Sequence, residues 1–363
     1  MVRQIPVVWS ERTLAHEPGG EVWVGVTTPG TEVPDRVAAI REALAGYGHR
    51  LLEATDRAVD DLQAVHDPAL LAFLATAEQR WRAGPYAEEA GQDRVVPYLF
   101  PTPAMAGGLP LRRPSAVHAE VGTYGYDTMT LLGEGSWGAI SAAAACALDA
   151  AELVLGGEPV AYALSRPPGH HATRAGYGGS CYVNNAALAA QRLRDGGHER
   201  VAVVDVDAHH GNGTAAIFYD RDDVLYGSVH VDPGAGWFPH YVGFADETGT
   251  GRGEGATRNL PLPEGTGDAE WLSAVGQLAQ WASSTGCTAL VVSLGVDAAA
   301  EDPESPLLVT RDGYRAAGRL LGSTGLPSVL VQEGGYHLPS LGPLVAAYVE
   351  GHVEERPDER DPR

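Results

Sequence analysis

The sequence predicts one α/β domain, a mostly parallel sheet with helices on both faces. Three observations carry that expectation. From about residue 159 onward, short apolar runs alternate with segments of helical period, the order that builds parallel sheets through crossovers. The runs themselves, such as Val201 to Val204, are apolar without alternation, as strands buried on both faces are. Each run then ends in ionisable or hydroxyl residues, and parallel sheets bind ligands beyond the carboxyl ends of their strands.

Ile5 to Trp9 predicts a first strand, followed by a Gly/Pro/Thr-rich loop to about Glu32. Pro34 opens a helix from Asp35 to about Tyr47, with Val37, Ile40 and Leu44 on its buried side and Arg36 on its first turn. A second helix runs from about Pro68 to Arg82, with Leu70, Leu71, Phe73 and Leu74 inward. The segment from Ala83 to Pro114 (83–114) has no period and is too long for an ordinary connection, which points to a role at a site rim or an interface. The Ala-rich stretch from Gly135 to about Leu155 predicts a long buried helix. Strands are then expected at 159–164, 201–206, 223–229, 288–296 and 327–332, with helices at about 184–195, 212–220, 268–284, 311–321 and 339–350. Residues 352–363 are charged and proline-bearing and are expected to form a frayed tail, leaving 1–351 as the domain.

The chain carries 47 Asp and Glu against 25 basic residues, a net charge of −22. Such a surface repels nucleic-acid phosphates and anionic membranes and attracts cations, so nucleic acid and membrane are set aside as partners. All the basic residues are arginine, which removes Schiff-base and P-loop lysine chemistry. Cys146, Cys181 and Cys287 are scattered, without the spacing of a thiolate zinc site, and suit a reducing compartment. No basic-then-apolar leader opens the sequence and no run approaches about 18 apolar residues, so a soluble cytoplasmic protein is expected.

The stretch that organises the chain is 201–214. Val201 to Val204 reads as a buried strand, and Gly211, Asn212, Gly213 and Thr214 as a turn opening a helix. In an extended backbone Asp205, Asp207 and His209 share one face, and two carboxylates with an imidazole at the end of a buried strand call for a cation among them. A helix cap at Asp205 and a core histidine at His209 or His210 are the plainer alternative, weakened by four such residues in six positions. Other strands deliver chemistry to the same edge: 159–164 leads into Ser165, Arg166, His170 and His171, 288–296 into Asp297, and 327–332 into Glu333 and Tyr336.

The runs Arg166–Ala172, Gly179–Asn185, Asp205–Thr214, Ser293–Pro303 and Glu333–Tyr336, in that order, resemble the zinc-dependent histone deacetylase superfamily, which has the arginase/deacetylase fold. Phe238-Pro239-His240 and Gly243 to Gly249 extend the resemblance to bacterial acetylpolyamine amidohydrolases, over about Val33 to Tyr348. The resemblance implies one zinc per chain on Asp207, His209 and Asp297, a set of three that leaves a position open, as catalytic zinc sites do. It implies an acid/base pair, His170 and His171, oriented by Asp205 and Asn212, and an oxyanion donor, Tyr336, on the Gly334-Gly335 turn. Asn212 stands where some relatives have Asp, and a neutral amide raises an imidazole pKa less than a carboxylate does. A potassium site is implied at the main-chain carbonyls of Asp205, Asp207 and His209 with Ser228, whose hydroxyl is a further ligand candidate. His210, facing away, is read as structural.

The resemblance also implies an acyl-amine tunnel beside Gly179 and lined by two aromatics. Phe238 fits one; Ser180 falls at the other, so either a bulkier acyl-amine enters or a side chain such as Tyr177 fills the gap. Glu304 in Asp302-Pro303-Glu304 places a carboxylate at the rim, suited to a distal ammonium. Met129 falls where the polyamine enzymes have an acidic residue, and Asp127 is close enough in sequence to substitute. The 83–114 segment corresponds to the insertion through which those enzymes dimerise, with Trp81, Tyr86, Tyr98, Leu99 and Phe100 as anchors, so a homodimer is expected. The reading that follows is a zinc amidohydrolase acting on an acetylated polyamine or similar cationic amine. Its alternatives are deacetylation of lysine in proteins or of an acylated biosynthetic intermediate, and a non-catalytic acyl-amine sensor.

Overall fold

Strands buried on both faces must pair on both edges to satisfy their backbone groups, and the apolar runs of this chain do so side by side in one sheet. The structure, a computed structural model, describes residues 4–354. Its elements in chain order are β1 (Pro6–Trp9), β2 (Glu21–Trp23), β3 (Val26–Thr28), α1 (Asp35–Gly46), β4 (Arg50–Glu53), α2 (Val59–Leu62), α3 (Pro68–Arg82), α4 (Tyr86–Ala90), α5 (Pro103–Ala106), α6 (Val117–Tyr124) and α7 (Ser136–Leu155). There follow β5 (Val160–Ala163), α8 (Asn185–Asp195), β6 (Val201–Asp205), α9 (Asn212–Phe218), β7 (Val224–Val231), β8 (Thr257–Leu262), α10 (Asp268–Ser284), β9 (Ala289–Leu294), α11 (Arg311–Gly322), β10 (Ser328–Gln332) and α12 (Leu338–Glu354).

Eight strands form one sheet in the order β4-β1-β5-β10-β9-β6-β7-β8, and its pairings are parallel. β2 and β3 make a separate antiparallel hairpin. Side chains of a strand alternate between faces, and β6 shows the consequence: Val201 and Val203 join the core under α3, α7 and α8, while Ala202 and Val204 join the core under α1, α10, α11 and α12. The four central strands β5, β10, β9 and β6 all point their carboxyl ends at one edge, which places the loops after residues 163, 205, 294 and 332 together.

Caps mark where helices begin. Asp67 accepts from the Ala69 amide at the start of α3, and Asn184 accepts from the Ala187 amide at the start of α8. Asn184 also donates to the Ala172 carbonyl, tying that helix to the loop after β5.

The chain departs from the sequence expectations in several places, the β2–β3 hairpin within the loop expected up to Glu32 among them. β8 and β4 were not expected: β8 carries Pro261, which reads against a strand but is tolerated on an edge, where β8 lies. The boundary of a tail at 352 is corrected, because α12 runs to Glu354 with His352 and Val353 buried; the rest of the expected tail lies outside the described residues. The 83–114 segment holds the short helices α4 and α5. Trp81, expected as an interface anchor, is a core residue whose indole N–H donates to the Gln92 carbonyl, whereas Tyr98 and Leu99 are exposed, with Met105, Leu109 and Leu111 beyond them. Among the described residues, the one helix long and apolar enough to cross a membrane is α7, and it is mostly buried in the core.

Candidate active site

β6 ends at Asp205, yet the alternation continues past it: Val206 and Ala208 join Ala202 and Val204 in one core, which leaves Asp205, Asp207 and His209 on the other side, as expected. Asp205 faces the histidine pair, its Oδ2 lying 3.1 Å from both His170 Nδ1 and the Tyr226 hydroxyl. Asp297, from the loop after β9, takes the third place beside Asp207 and His209. One ligand atom from each of these three residues lies within 4.8 Å of the others. His209 Nδ1 is 3.0 Å from Asp297 Oδ2 and 3.4 Å from Asp207 Oδ1.

Amides and glycines hold this trio in place. Asp207 accepts from the His209 and Gly334 amides, and Asp297 accepts from the Ala208 amide. A Cβ at Gly295 would sit 2.0 Å from Asp207 Oδ2, and one at Gly334 2.5 Å from Asp297 Oδ2, so only glycine admits the two carboxylates. Asp207 and Asp297 are fully buried beside each other. Burial and the Asp207 charge push Asp297 up to about 7. Burial opposes a charge on His209, but Asp207 and Asp297 outweigh it and hold the imidazole up at about 10. The trio therefore attracts positive charge strongly, and its two carboxylates and one imidazole are a donor set that divalent zinc accepts. These residues fit such an ion.

The loop after β5 supplies two histidines. Glu333 Oε2 accepts from the Gly169 and His170 amides at 2.7 and 3.1 Å and so fixes the backbone that carries them. The rings of His170 and His171 lie 3.9 Å apart between centroids. His170 Nδ1 faces the Asp205 carboxylate, while His171 Nδ1 lies 2.7 Å from Asn212 Oδ1. An amide oxygen only accepts, so His171 carries its proton on Nδ1 and keeps a lone pair on Nε2. Burial works against a proton on His170, but Asp207 and Asp205 overcome it and raise its pKa to about 10. Burial and the neighbouring His170 push His171 well below the ordinary imidazole value. The surroundings thus bias the two rings in opposite directions, His170 toward the protonated form and His171 toward the neutral one. His210 is buried with its ring 4.7 Å from His230, away from this pair, and burial holds it neutral.

Tyr336 is placed by its own backbone: its amide donates to Asp302 Oδ2 at 2.6 Å, and the His337 amide donates to the same oxygen. Arg36 lies 4.9 Å above the Tyr336 ring and donates to the Gly335 and Glu333 carbonyls. Burial keeps the Tyr336 hydroxyl protonated far above the usual tyrosine range, with Arg36 the opposing influence. On β7, Ser228 Oγ lies 2.7 Å from His230 Nδ1, whose Nε2 donates to the Gly243 carbonyl.

A narrow cavity of about 60 Å³ joins these groups to the surface. His171, His209 and Tyr336 line its inner part; Phe238, Gly179, Ser180 and Met129 its walls; Glu304, Glu21 and Thr31 complete the lining. Phe238 meets the His171 ring edge-on at 4.7 Å. Gly179 has φ +56°, and a Cβ there would lie 2.4 Å from the His171 ring, so the wall must be glycine at that point. Wider depressions around Arg57 and Glu152 hold none of these groups.

Two sequence expectations about this cavity are corrected. Tyr177 does not fill the space beside Ser180: it is fully buried and stacks between Phe73 and Tyr182. Asp127 does not replace the acid missing at Met129, because its oxygens accept from the Met129, Thr130 and Gly179 amides and serve to shape the wall. Glu21, Thr31, Asp302 and Tyr126 were missed. Tyr126 lies nearly parallel to Phe238 at 6.4 Å and donates to the His171 carbonyl. A short Gly-flanked hairpin gave no pattern that would single out Glu21, whereas Asp302 stood beside the rim glutamate already noted.

Comparison with known proteins agrees with this geometry. A histone deacetylase domain family model matches residues 30–352. The acetylpolyamine amidohydrolase of Mycoplana ramosa is 38% identical over 351 residues, covering 95% of this chain and 98% of that one. The acetylpolyamine amidohydrolase of Burkholderia pseudomallei (strain 1710b) is 42% identical over 313 residues, 85% of this chain and 87% of that one. A crystal structure of acetylpolyamine aminohydrolase from Burkholderia pseudomallei superposes with a TM-score of 0.91 at 38% identity, covering 98% of this chain and 100% of that one.

Proposed function

We propose that this chain, which belongs to the histone deacetylase family and is a deacetylase, removes acetyl groups from acetylated polyamines or similar cationic amines. One observation carries the substrate: a narrow cavity leads from Glu304, a carboxylate with no arginine partner among the described residues, to His171, His209 and Tyr336. An extended aliphatic chain fits such a passage along the Phe238 ring, and a distal ammonium would meet Glu304. The names of the relatives support the same substrate class.

Asp207, His209 and Asp297 would hold a zinc ion, which supplies Lewis-acid polarisation of the amide carbonyl and lowers the pKa of the attacking water. His171, neutral and with Nε2 free, takes a proton from that water and then returns one to the departing amine nitrogen. His170, kept charged by Asp207 and Asp205, sets the field around its neighbour. The Tyr336 hydroxyl donates to the carbonyl oxygen as it gains charge. For a potassium ion, the carbonyls of Asp205, Asp207 and His209 with Ser228 are the proposed ligands, a reading supported by the register that sets Ser228 beside Asp205 across β6 and β7.

We read the chain as a cytoplasmic homodimer. The three unpaired, buried cysteines support a reducing compartment. Exposed Tyr98, Leu99, Met105, Leu109 and Leu111 in the 83–114 segment support pairing of two copies through that face. Sedimentation at micromolar concentration is expected to give twice the chain mass; a monomer mass would remove this reading.

The substrate reading is tested by acetate release from acetylputrescine, acetylspermidine and an acetyl-lysine peptide under equal conditions. A kcat/KM at least about tenfold higher for the free polyamines is expected, the size of one ammonium–carboxylate contact in a partly buried setting. Faster turnover of the peptide would move the assignment to protein deacetylation. Silence on all three with zinc bound would leave a sensor or a bulkier acylated amine, for which Ser180 leaves space.

A further inference from the structure

A second carboxylate faces the same passage as Glu304. Glu21 opens the β2–β3 hairpin, away from every strand of the main sheet, yet its side chain lines the cavity that ends at His171, His209 and Tyr336. The hairpin is tied down at that point: the Val22 amide donates to the Thr128 carbonyl, and the Thr128 hydroxyl donates to the Val22 carbonyl. Thr31 lines the cavity with the two acids, its hydroxyl donating to Glu304 Oε1 at 2.9 Å. Neither glutamate has an arginine within ion-pair distance among the described residues, although the chain has 25 arginines to offer. Burial first, then the charges of Glu304 and Asp127, push Glu21 up to about 7. Two carboxylates held side by side without a counter-charge are each stabilised when a cation arrives, and a single ammonium neutralises only one of them.

We propose that Glu21 is a specificity residue that receives a second ammonium, so that the enzyme prefers acetylated triamines, which carry two positive charges, over acetylated diamines, which carry one. The inference rests on the polyamine reading above and assigns the two rim acids separate tasks. Glu304 recognises the charge that every acetylpolyamine retains; Glu21 recognises the additional one.

The test compares the zinc-loaded wild type with Glu21→Gln and Glu304→Gln on acetylputrescine, acetylspermidine and the uncharged amide N-acetylpentylamine. Glu21 is partly buried on a short hairpin outside the main sheet, so its replacement is expected to leave the circular dichroism spectrum unchanged. The expected result is a rise in KM for acetylspermidine of about fivefold in Glu21→Gln, in the range of one partly exposed ion pair, with KM for acetylputrescine and kcat for both nearly unchanged. Glu304→Gln is expected to raise KM for both polyamines. Equal loss on the two polyamines in Glu21→Gln, or no loss on either, overturns the inference while leaving the polyamine reading in place. Wild-type turnover of N-acetylpentylamine as efficient as that of the polyamines overturns both.

Discussion

Replacing Tyr336 with phenylalanine is expected to lower kcat for acetylputrescine by about 10²–10³, the usual loss when one oxyanion donor is removed. Phenylalanine keeps the ring that packs under Arg36 at 4.9 Å, and the backbone of residue 336 stays anchored through its amide to Asp302. The substitution therefore removes one hydroxyl and little else. Because the oxygen that receives this hydrogen bond gains its charge only as the carbonyl is attacked, KM is expected to stay within about threefold of wild type. Steady-state kinetics with zinc content measured on the same sample separates this from loss of metal. A kcat within a factor of about three of wild type would assign the oxyanion to another donor.

Asp297→Ala is expected to have the larger effect. It leaves His209 Nδ1 facing Asp207 alone and takes away one of three donors. Metal analysis should find zinc near background, and acetate release should fall by more than about 10³-fold, since Lewis-acid and water activation are both lost. The same substitution takes the partner at 3.0 Å from the buried His209 imidazole and the acceptor from the Ala208 amide, so the apo variant is expected to melt below the apo wild type. Zinc, in contrast, should raise the melting temperature of the wild type only, by the equivalent of about 4 kcal/mol at a thousand times its dissociation constant. Calorimetry with and without zinc checks both statements. Wild-type zinc content in Asp297→Ala would place the ion elsewhere.

The sheet was legible because strands buried on both faces write themselves as unbroken apolar runs. Val201 to Val204 and Ala289 to Val292 could be read with no knowledge of their partners. The reactive residues were legible for a related reason: Asp205, Asp297 and Glu333 follow such runs, and a charged group at that place in a parallel sheet must be accounted for. Direction was harder. Asp205 and Asp207 do share one face, with Val206 turned to the opposite core, but the face alone does not say that Asp205 meets His170 Nδ1 while Asp207 joins His209 and Asp297.

Side chains whose task is set by loop hydrogen bonds were not legible. Asp127 has the charge expected of a substrate ligand, yet the amides of Met129, Thr130 and Gly179 claim its oxygens. Tyr177 has the ring expected beside Ser180, yet it belongs to a stack with Phe73 and Tyr182. Glu21 was invisible because nothing in a three-residue strand says that a hairpin will fold over a distant pocket. The end of α12 was misjudged for a different reason. Val345, Val349, His352 and Val353 keep helical spacing, but the charges that begin at Glu354 made the stretch look solvated two residues too early.

Acetate release from N-acetylputrescine, followed as metal-stripped protein is titrated with zinc, tests the account most directly. The account predicts none from the stripped protein, a rise that breaks at about one zinc per chain, and no recovery in Asp297→Ala. Undiminished acetate release from the stripped protein, or full recovery in that variant, would contradict it.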